Sequence, residues 1–122
     1  MFSDARLKNV TGTYTRGLEA ISRLQPVFFR YKKDNAQGLP SDNTYVGFVA
    51  QEVQKVIPEA IDDSGEYLSL EADAIYWAML NSIKELKAEN DALKAELVNR
   101  DKALEERIAQ LEALVMKKVA ED

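Results

Sequence analysis

The chain has 122 residues, carries a net charge of −5 and contains neither cysteine nor histidine. Nucleic acids and anionic membranes require a concentrated basic surface, so this charge argues against both as partners, and no apolar run approaches the roughly eighteen residues of a membrane span. The missing residue types exclude disulfide scaffolds, thiol catalysis, the common zinc sites and histidine-based triads. We therefore expect no metal and no cofactor, and any chemistry must use Ser, Thr, Lys, Asp, Glu or Tyr.

Short helices and strands alternate in the N-terminal half. Apolar residues recur at helical spacing from Thr13 and stop before Pro26, which predicts a helix of about ten residues. The β-branched and aromatic residues at 27–32 and 45–49 predict two strands. Residues 33–44 between them are rich in Asn, Asp, Gly and Pro and predict a surface loop. This pattern is typical of a small α+β domain.

A second group of elements leads into the C-terminal half. Residues 50–57 place their apolar side chains on one helical face and predict a short helix. The polar residues 62–65 predict a turn rather than a calcium loop, and the segments 60–61 and 67–70 on either side predict a small hairpin. Ser69 is predicted to cap the helix that follows.

A long apolar repeat occupies the C-terminal residues. From about residue 72 to 118, apolar residues recur at spacings of three and four, which predicts one helix of about 70 Å. Such a stripe on one helix leaves its seam in water, so it must pack against other helices, as in a parallel bundle. The repeat shifts by four positions across 98–103, a stutter that unwinds the supercoil locally. The predicted seam residues are Ile83, Leu86, Asn90, Leu93, Leu97, Leu104, Ile108, Leu111 and Val115.

Several features of this helix concern assembly. Asn90 at a buried heptad position penalises shifted registers and wrong stoichiometries. The seam does not fix the number of strands, and a dimeric coiled coil that serves only as a scaffold is one interpretation. Tyr76 and Met79 continue the heptad pattern towards the helix start, and we expect Tyr76 and Trp77 to pack between the helix base and the small domain. We divide the chain into a domain at 1–71 and a coiled-coil helix at 72–122.

Ser3 and Lys8 are the one nucleophile and base pair that we single out. A serine needs a partner to remove its proton, and a lysine can serve when desolvation favours its neutral amine. Five residues along an α-helix turn about 140° and rise about 7.5 Å, so the pair shares a face only if the segment bends. Asp4 could instead pair with Lys8 and keep it charged. A solvated polar terminus is the other interpretation.

Four segments, in this order, resemble a single family. They are SDARLKN at 3–9, LQPVFFRY at 24–31, VGFVAQEV at 46–53 and IKEL at 83–86. The chain resembles the intramolecular chaperone auto-processing domain that is found at the C-terminus of phage tailspikes, endosialidases, tail fibres and neck appendages, and within the myelin regulatory factor.

The resemblance implies a homotrimer that helps an upstream β-rich fibre fold in register and then cuts itself away. It implies a self-cleaving serine-lysine endopeptidase, with Ser3 and Lys8 as the dyad and the bond between Phe2 and Ser3 as the cleavage site. The enzyme acts once, in its own chain. The implied setting is a virion tail fibre or tailspike precursor that assembles in the host cytoplasm.

The resemblance also suggests secondary positions. Asp4, Gln51 and Glu52 are possible supports for the dyad. The loop between the two predicted strands falls where the family has an arm that grips the fibre, so Leu39 and Tyr45 are candidate client contacts.

Family members follow a large fibre, so we expect this chain to be an excised domain or the end of a longer protein. We expect the bond between Phe2 and Ser3 to stay intact in the chain alone, because the client that completes the site is missing. The alternative function is a non-catalytic trimerisation or adaptor module in which Ser3 and Lys8 are inert.

Overall fold

The computed structural model describes residues 1–122, which divide into two compact units, Met1–Ile83 and Lys84–Asp122. The first unit combines short helices with two small antiparallel strand pairs, and the second is helical as far as Glu121. The predicted mainly helical α+β fold with a long C-terminal helix is confirmed. The elements are a 3-10 turn at Ala5–Leu7, α1 (Leu18–Ser22), β1 (Val27–Phe29), β2 (Tyr45–Gly47), α2 (Ala50–Gln54), a 3-10 turn at Pro58–Ala60, β3 (Ile61–Asp62), β4 (Ser69–Leu70) and α3 (Asp73–Glu121).

Both predicted strands of the N-terminal half and the predicted hairpin are present, with strands shorter than expected. In the first sheet β1 pairs with β2, and Phe29 lies opposite Tyr45. In the second sheet β3 pairs with β4, which confirms the predicted hairpin. Its turn is closed by Asp62, whose Oδ1 accepts hydrogen bonds from the Ser64 backbone N–H at 2.9 Å and the Ser64 hydroxyl at 2.6 Å. This is ordinary turn chemistry, as predicted.

Two helix starts differ from the prediction. α1 begins at Leu18 rather than near Thr13, because Gly17 before it has non-helical dihedral angles, φ −152° and ψ −131°. α3 begins at Asp73, and Ser69 lies in β4 opposite Asp62, so the prediction that Ser69 caps this helix is wrong. Asp73 in the first turn of α3 places a negative charge at the positive end of the helix dipole instead.

A compact apolar core lies in the first unit. Its fully buried centre contains Val53 and Ile57, and it is closed on one side by the first turns of α3. Ser82 is also buried there, and its hydroxyl donates a 2.7 Å hydrogen bond to the Ala78 carbonyl, which satisfies the polar group. The buried apolar residues are Ala20, Val53, Val56, Ile57, Ala60, Ile75 and Ala78.

The predicted packing of Tyr76 and Trp77 against the domain is wrong. Their side chains are 59% and 58% exposed, whereas Ile75 and Ala78 on the same turns are buried. Successive residues of a helix are about 100° apart, so a core on the side of Ile75 and Ala78 leaves Tyr76 and Trp77 on the outside.

The second unit is one continuous helix with every side chain exposed in the single chain. Its outer surface carries ion pairs four residues apart, Lys87 with Asp91 at 2.7 Å and Arg100 with Glu96 at 2.9 Å. The predicted seam residues, from Leu86 to Val115, have no cover within their own chain. The parallel bundle and its strand number stay predictions. No helix is both long enough and apolar enough to cross a membrane.

Candidate active site at the N-terminus

A single tight turn shapes the N-terminal segment. Asp4 caps the first 3-10 turn: its carboxylate accepts the Arg6 backbone N–H at 2.9 Å, and its backbone carbonyl accepts the Leu7 N–H at 3.0 Å. Lys8 leaves the turn in an extended conformation, with φ −115° and ψ 140°. This combination of a short turn with extended neighbours supplies the bend that a regular helix would lack.

The turn brings Ser3 and Lys8 together. The Lys8 Nζ donates a hydrogen bond to the Ser3 Oγ across 2.9 Å. This distance is within the range required between a nucleophile and the base that removes its proton. The two side chains that could carry the predicted chemistry therefore touch directly in a single chain. Their roles in cleavage stay predictions.

Asp4 binds Arg6, not Lys8. The Asp4 carboxylate accepts hydrogen bonds from Arg6 Nη2 at 2.8 Å and from Arg6 Nε at 3.1 Å. The Arg6 side chain, and then its backbone N–H, hold the pKa of Asp4 below its ordinary value. The alternative in which Asp4 pairs with Lys8 is therefore not the arrangement observed. Asp4 fixes the turn, and its charge is paired with that of Arg6; its support of the dyad stays a prediction.

The dyad is open to solvent in the single chain. Every residue from Met1 to Thr15 is exposed, and Phe2 on the proposed cleavage bond is 86% exposed. Leu7 and Val10 of the same segment are also uncovered apolar side chains. A lysine can serve as a base only where cover from water favours its neutral amine, and the single chain provides no such cover here. The exposed apolar side chains are suited to receive that cover.

The other suggested supports lie elsewhere. Gln51 and Glu52 belong to α2, and the Glu52 carboxylate binds Lys55 Nζ at 3.1 Å. No hydrogen bond connects either residue with Ser3 or Lys8 in the single chain.

The loop at 33–44 is organised around one amide side chain. Asn35 Nδ2 donates to the carbonyls of Lys32 at 2.9 Å and Leu39 at 2.7 Å, and its Oδ1 accepts the Leu39 N–H at 2.9 Å. Leu39 lines an open groove of about 950 Å³ together with β1 residues. Tyr45 stacks on Phe29 at the groove's edge, with ring centroids 5.5 Å apart. Both candidate client contacts are thus presented to solvent, and client binding stays a prediction.

A polar cluster that the sequence did not reveal anchors residues 14–16, just after the N-terminal segment that carries Ser3 and Lys8. The Glu59 carboxylate accepts hydrogen bonds from the Tyr14 hydroxyl at 2.7 Å and from the Arg16 guanidinium. Asn81 Nδ2 donates to the backbone carbonyls of Tyr14 at 2.9 Å and Arg16 at 2.8 Å. Tyr14 lies 45 positions from Glu59 and 67 positions from Asn81 in the chain, so no local pattern marks these partners.

Comparison with known proteins identifies the class. Residues 3–62 match the family described as chaperone of endosialidase, and this segment includes Ser3 and Lys8. Myelin regulatory factor homolog 1 from Caenorhabditis elegans is 33% identical over 89 residues, which cover 69% of this chain and 10% of that protein. The chain thus spans about a tenth of the length of this relative.

The chain therefore belongs to the chaperone-of-endosialidase family, through the segment that carries Ser3 and Lys8. The resemblance expected from the sequence motifs is confirmed. Membership supports an intramolecular chaperone role and implies self-cleavage of the peptidase type.

Proposed function

We propose that this chain is a C-terminal intramolecular chaperone that trimerises, assists the folding of an upstream phage fibre or tailspike, and then releases itself by cutting between Phe2 and Ser3. The observation that carries the proposal is the 2.9 Å contact between Lys8 Nζ and Ser3 Oγ, inside the segment that matches the family. The setting is a virion fibre precursor assembling in the host cytoplasm.

The chemistry requires only this pair and water. Neutral Lys8 Nζ accepts the proton of the Ser3 hydroxyl as Oγ attacks the Phe2 carbonyl carbon. The bond from that carbon to the Ser3 nitrogen then breaks, and Lys8 returns the proton to the departing amine. The Phe2 acyl group is left as an ester on Ser3 Oγ. Water hydrolyses the ester and frees the Phe2 carboxylate and the Ser3 hydroxyl.

In this proposal, assembly provides the cover from water that Lys8 lacks in the single chain. In the single chain the lysine donates to the serine, and catalysis needs the opposite direction, with the hydroxyl donating to a neutral amine. Covering the exposed segment with a neighbouring subunit or with the client removes water from Lys8 and favours its neutral form. Cleavage that waits for this cover would release the chaperone only after the chains are aligned.

The test is a fusion of a trimeric β-rich fibre segment ahead of Met1. We expect the wild-type fusion to yield a fragment that begins at Ser3, identified by mass spectrometry. Ser3→Ala and Lys8→Ala should each leave the full-length product, whereas Lys55→Ala, which removes an exposed lysine paired within α2, should cleave like the wild type. A wild-type fusion that trimerises and stays intact would contradict self-cleavage. Release of the same fragment from both dyad variants would contradict the assignment of the residues.

The same fusion separates the rival function. A non-catalytic trimerisation or adaptor module predicts that the fibre segment folds equally well with the Ser3→Ala variant and that no fragment appears in any variant. It is favoured by the full exposure of the dyad in the single chain. A dimeric scaffold predicts two chains per particle by light scattering, where our proposal expects three.

A further inference from the structure

We propose that Asn81 and Glu59 are positioning residues for self-cleavage. They hold residues 14–16, and the segment that carries Ser3 and Lys8, residues 1–8, extends from there; we call residues 1–8 the dyad segment. We call residues 14–16 the crossing segment. The proposal rests on the function proposed above. In this proposal the polar cluster does more than stabilise the fold. It also restricts the positions that Ser3 and Lys8 can take.

Asn81 holds the crossing segment by its backbone. Both hydrogens of its side-chain amide are used, one on the Tyr14 carbonyl and one on the Arg16 carbonyl. The residue is partly buried, on a turn of α3 whose neighbour Ser82 belongs to the buried face. A side chain that contacts backbone rather than side chains fixes the path of the chain itself, since backbone carbonyls move only with the chain.

Glu59 holds the crossing segment through the side chains of Tyr14 and Arg16. Its carboxylate receives the Tyr14 hydroxyl and the forked Arg16 guanidinium, which binds through Nε and Nη2. Two-point contacts of this kind fix orientation as well as distance. The Glu59 backbone belongs to a 3-10 turn next to buried Ala60, so the acceptor is itself attached to the core. The crossing segment is thus gripped from two elements.

The dyad segment has no other long-range hydrogen bonds. Within residues 1–8 the hydrogen bonds are local, and Tyr14 is the first residue whose hydrogen bonds reach a distant part of the chain. Five residues separate Lys8 from Tyr14, and each extended residue spans at most about 3.6 Å. The dyad therefore stays within roughly 20 Å of the crossing segment. If the hydrogen bonds of Asn81 and Glu59 are lost, the dyad can occupy a larger volume.

Asn81 also faces away from the predicted seam. Ile83 is two residues further along α3, about 200° around the helix, and Ile83 is exposed for a partner helix. Partner helices can close on that seam without touching the crossing segment. Loss of Asn81 should consequently change cleavage without changing assembly, which a general folding defect would not do.

The experiment uses the fibre fusion and compares Asn81→Asp and Glu59→Gln with Arg23→Ala. Asn81→Asp keeps the size of the side chain and removes both amide donors. Glu59→Gln removes the negative charge that Arg16 binds. Arg23→Ala removes an exposed ion pair with Glu19 on α1 and should cleave at the wild-type rate. We expect Asn81→Asp to slow the first-order release of the Ser3 fragment about tenfold, and Glu59→Gln to slow it less. Light scattering should show an unchanged trimer for both.

A second measurement does not depend on cleavage. In the uncleaved Ser3→Ala background, amide hydrogen exchange should rise in residues 9–17 when Asn81→Asp is added and stay unchanged in the core residues 53–60. Release at the rate of Arg23→Ala, together with unchanged exchange, would overturn the positioning role while leaving the dyad intact. Loss of cleavage in the wild-type fusion would overturn the proposed function instead, and the exchange data alone would then decide whether the anchor exists.

Discussion

The first turns of α3 and the remainder of that helix differ in what they bury. Ile75 and Ala78 are buried against the domain of their own chain, whereas every side chain from Lys84 onwards is exposed. Composition does not explain the difference, because Leu, Ile and Val recur along the C-terminal turns as regularly as in the core. One part of the helix packs within its own chain, whereas the other has no cover there, and we predict that it packs against another chain.

The largest effect is expected in the seam. Leu93→Asp together with Leu97→Asp places carboxylates at positions that a bundle buries, and unpaired buried charges are expensive. We expect association to weaken at least about a thousandfold, equivalent to about 4 kcal/mol, so that the proposed trimer dissociates to monomer at micromolar concentration. Sedimentation equilibrium measures the change directly.

Ala92→Asp together with Ala95→Asp is the matched control for the seam, because it adds the same two charges to the same turns at outer heptad positions. We expect it to leave association nearly unchanged. Equal weakening by the control and by the seam variant would show that the helix associates through another face or not at all.

A smaller effect is expected in the core. Ile57 is fully buried, and Ile57→Ala removes its packing and leaves a cavity, at a cost of about 2 to 5 kcal/mol. All aromatic residues lie in the first unit, so near-ultraviolet circular dichroism follows the unfolding of that unit alone. Denaturant titration should show the loss of stability even at dilutions where the chain is monomeric.

Ile108→Ala makes the same chemical change on the exposed part of α3, where Ile108 is 53% exposed. In the monomer it should leave the near-ultraviolet transition in place, and in the assembled protein it should lower the concentration-dependent melting temperature. A shift of the aromatic transition in the monomer by Ile108→Ala would mean that the two parts of the helix are not energetically distinct.

The element order was predictable because it depends on local patterns. Breaks at Pro26 and at the 62–65 turn separate apolar stretches of recognisable period, and α3 repeats over many turns. Boundaries were less predictable where a distant residue decides them. The helix predicted from Thr13 begins only at Leu18, because Gly17 interrupts it and Asn81 binds the carbonyls of Tyr14 and Arg16.

The residues of the candidate site were proposed from the sequence, whereas their contact could not be predicted from it. Ser3 and Lys8 came from a motif, and their spacing alone argues against contact on a regular helix. The 3-10 turn that joins them depends on Asp4 accepting the Arg6 N–H, a local signal available in the sequence as an acidic cap. Glu59 and Asn81 have no such signal, because their contacts arise only after the fold brings distant segments together.

The smallest effect is that of pH on the hydrogen bonds of Glu59 with Tyr14 and Arg16, which lie within the first unit. Burial raises the pKa of Glu59, but the hydrogen bonds from Arg16 and Tyr14 outweigh it, and the net pKa lies below the ordinary value of 4.5. Burial first, and then the bond to Glu59, raises the pKa of Tyr14 from 10.0 to about 12. The stabilisation by Glu59 is thus present above its ordinary pKa and is lost as pH falls through the lowered one. The stabilisation by Tyr14 is present below the ordinary pKa of tyrosine, 10.0, and is lost as pH rises towards the raised pKa of Tyr14 in the folded chain.

We expect the difference in unfolding free energy between wild type and Glu59→Gln to be roughly constant from about pH 5 to about pH 9. It should shrink below that window, because protonated Glu59 resembles Gln in charge, and again as Tyr14 ionises. The groups are about one-third exposed, so the difference should be modest and should decrease with added salt. Denaturation of the monomer across the pH range measures it. A difference that persists undiminished well below the carboxyl range would mean that the loss comes from shape rather than from the charge that holds the crossing segment.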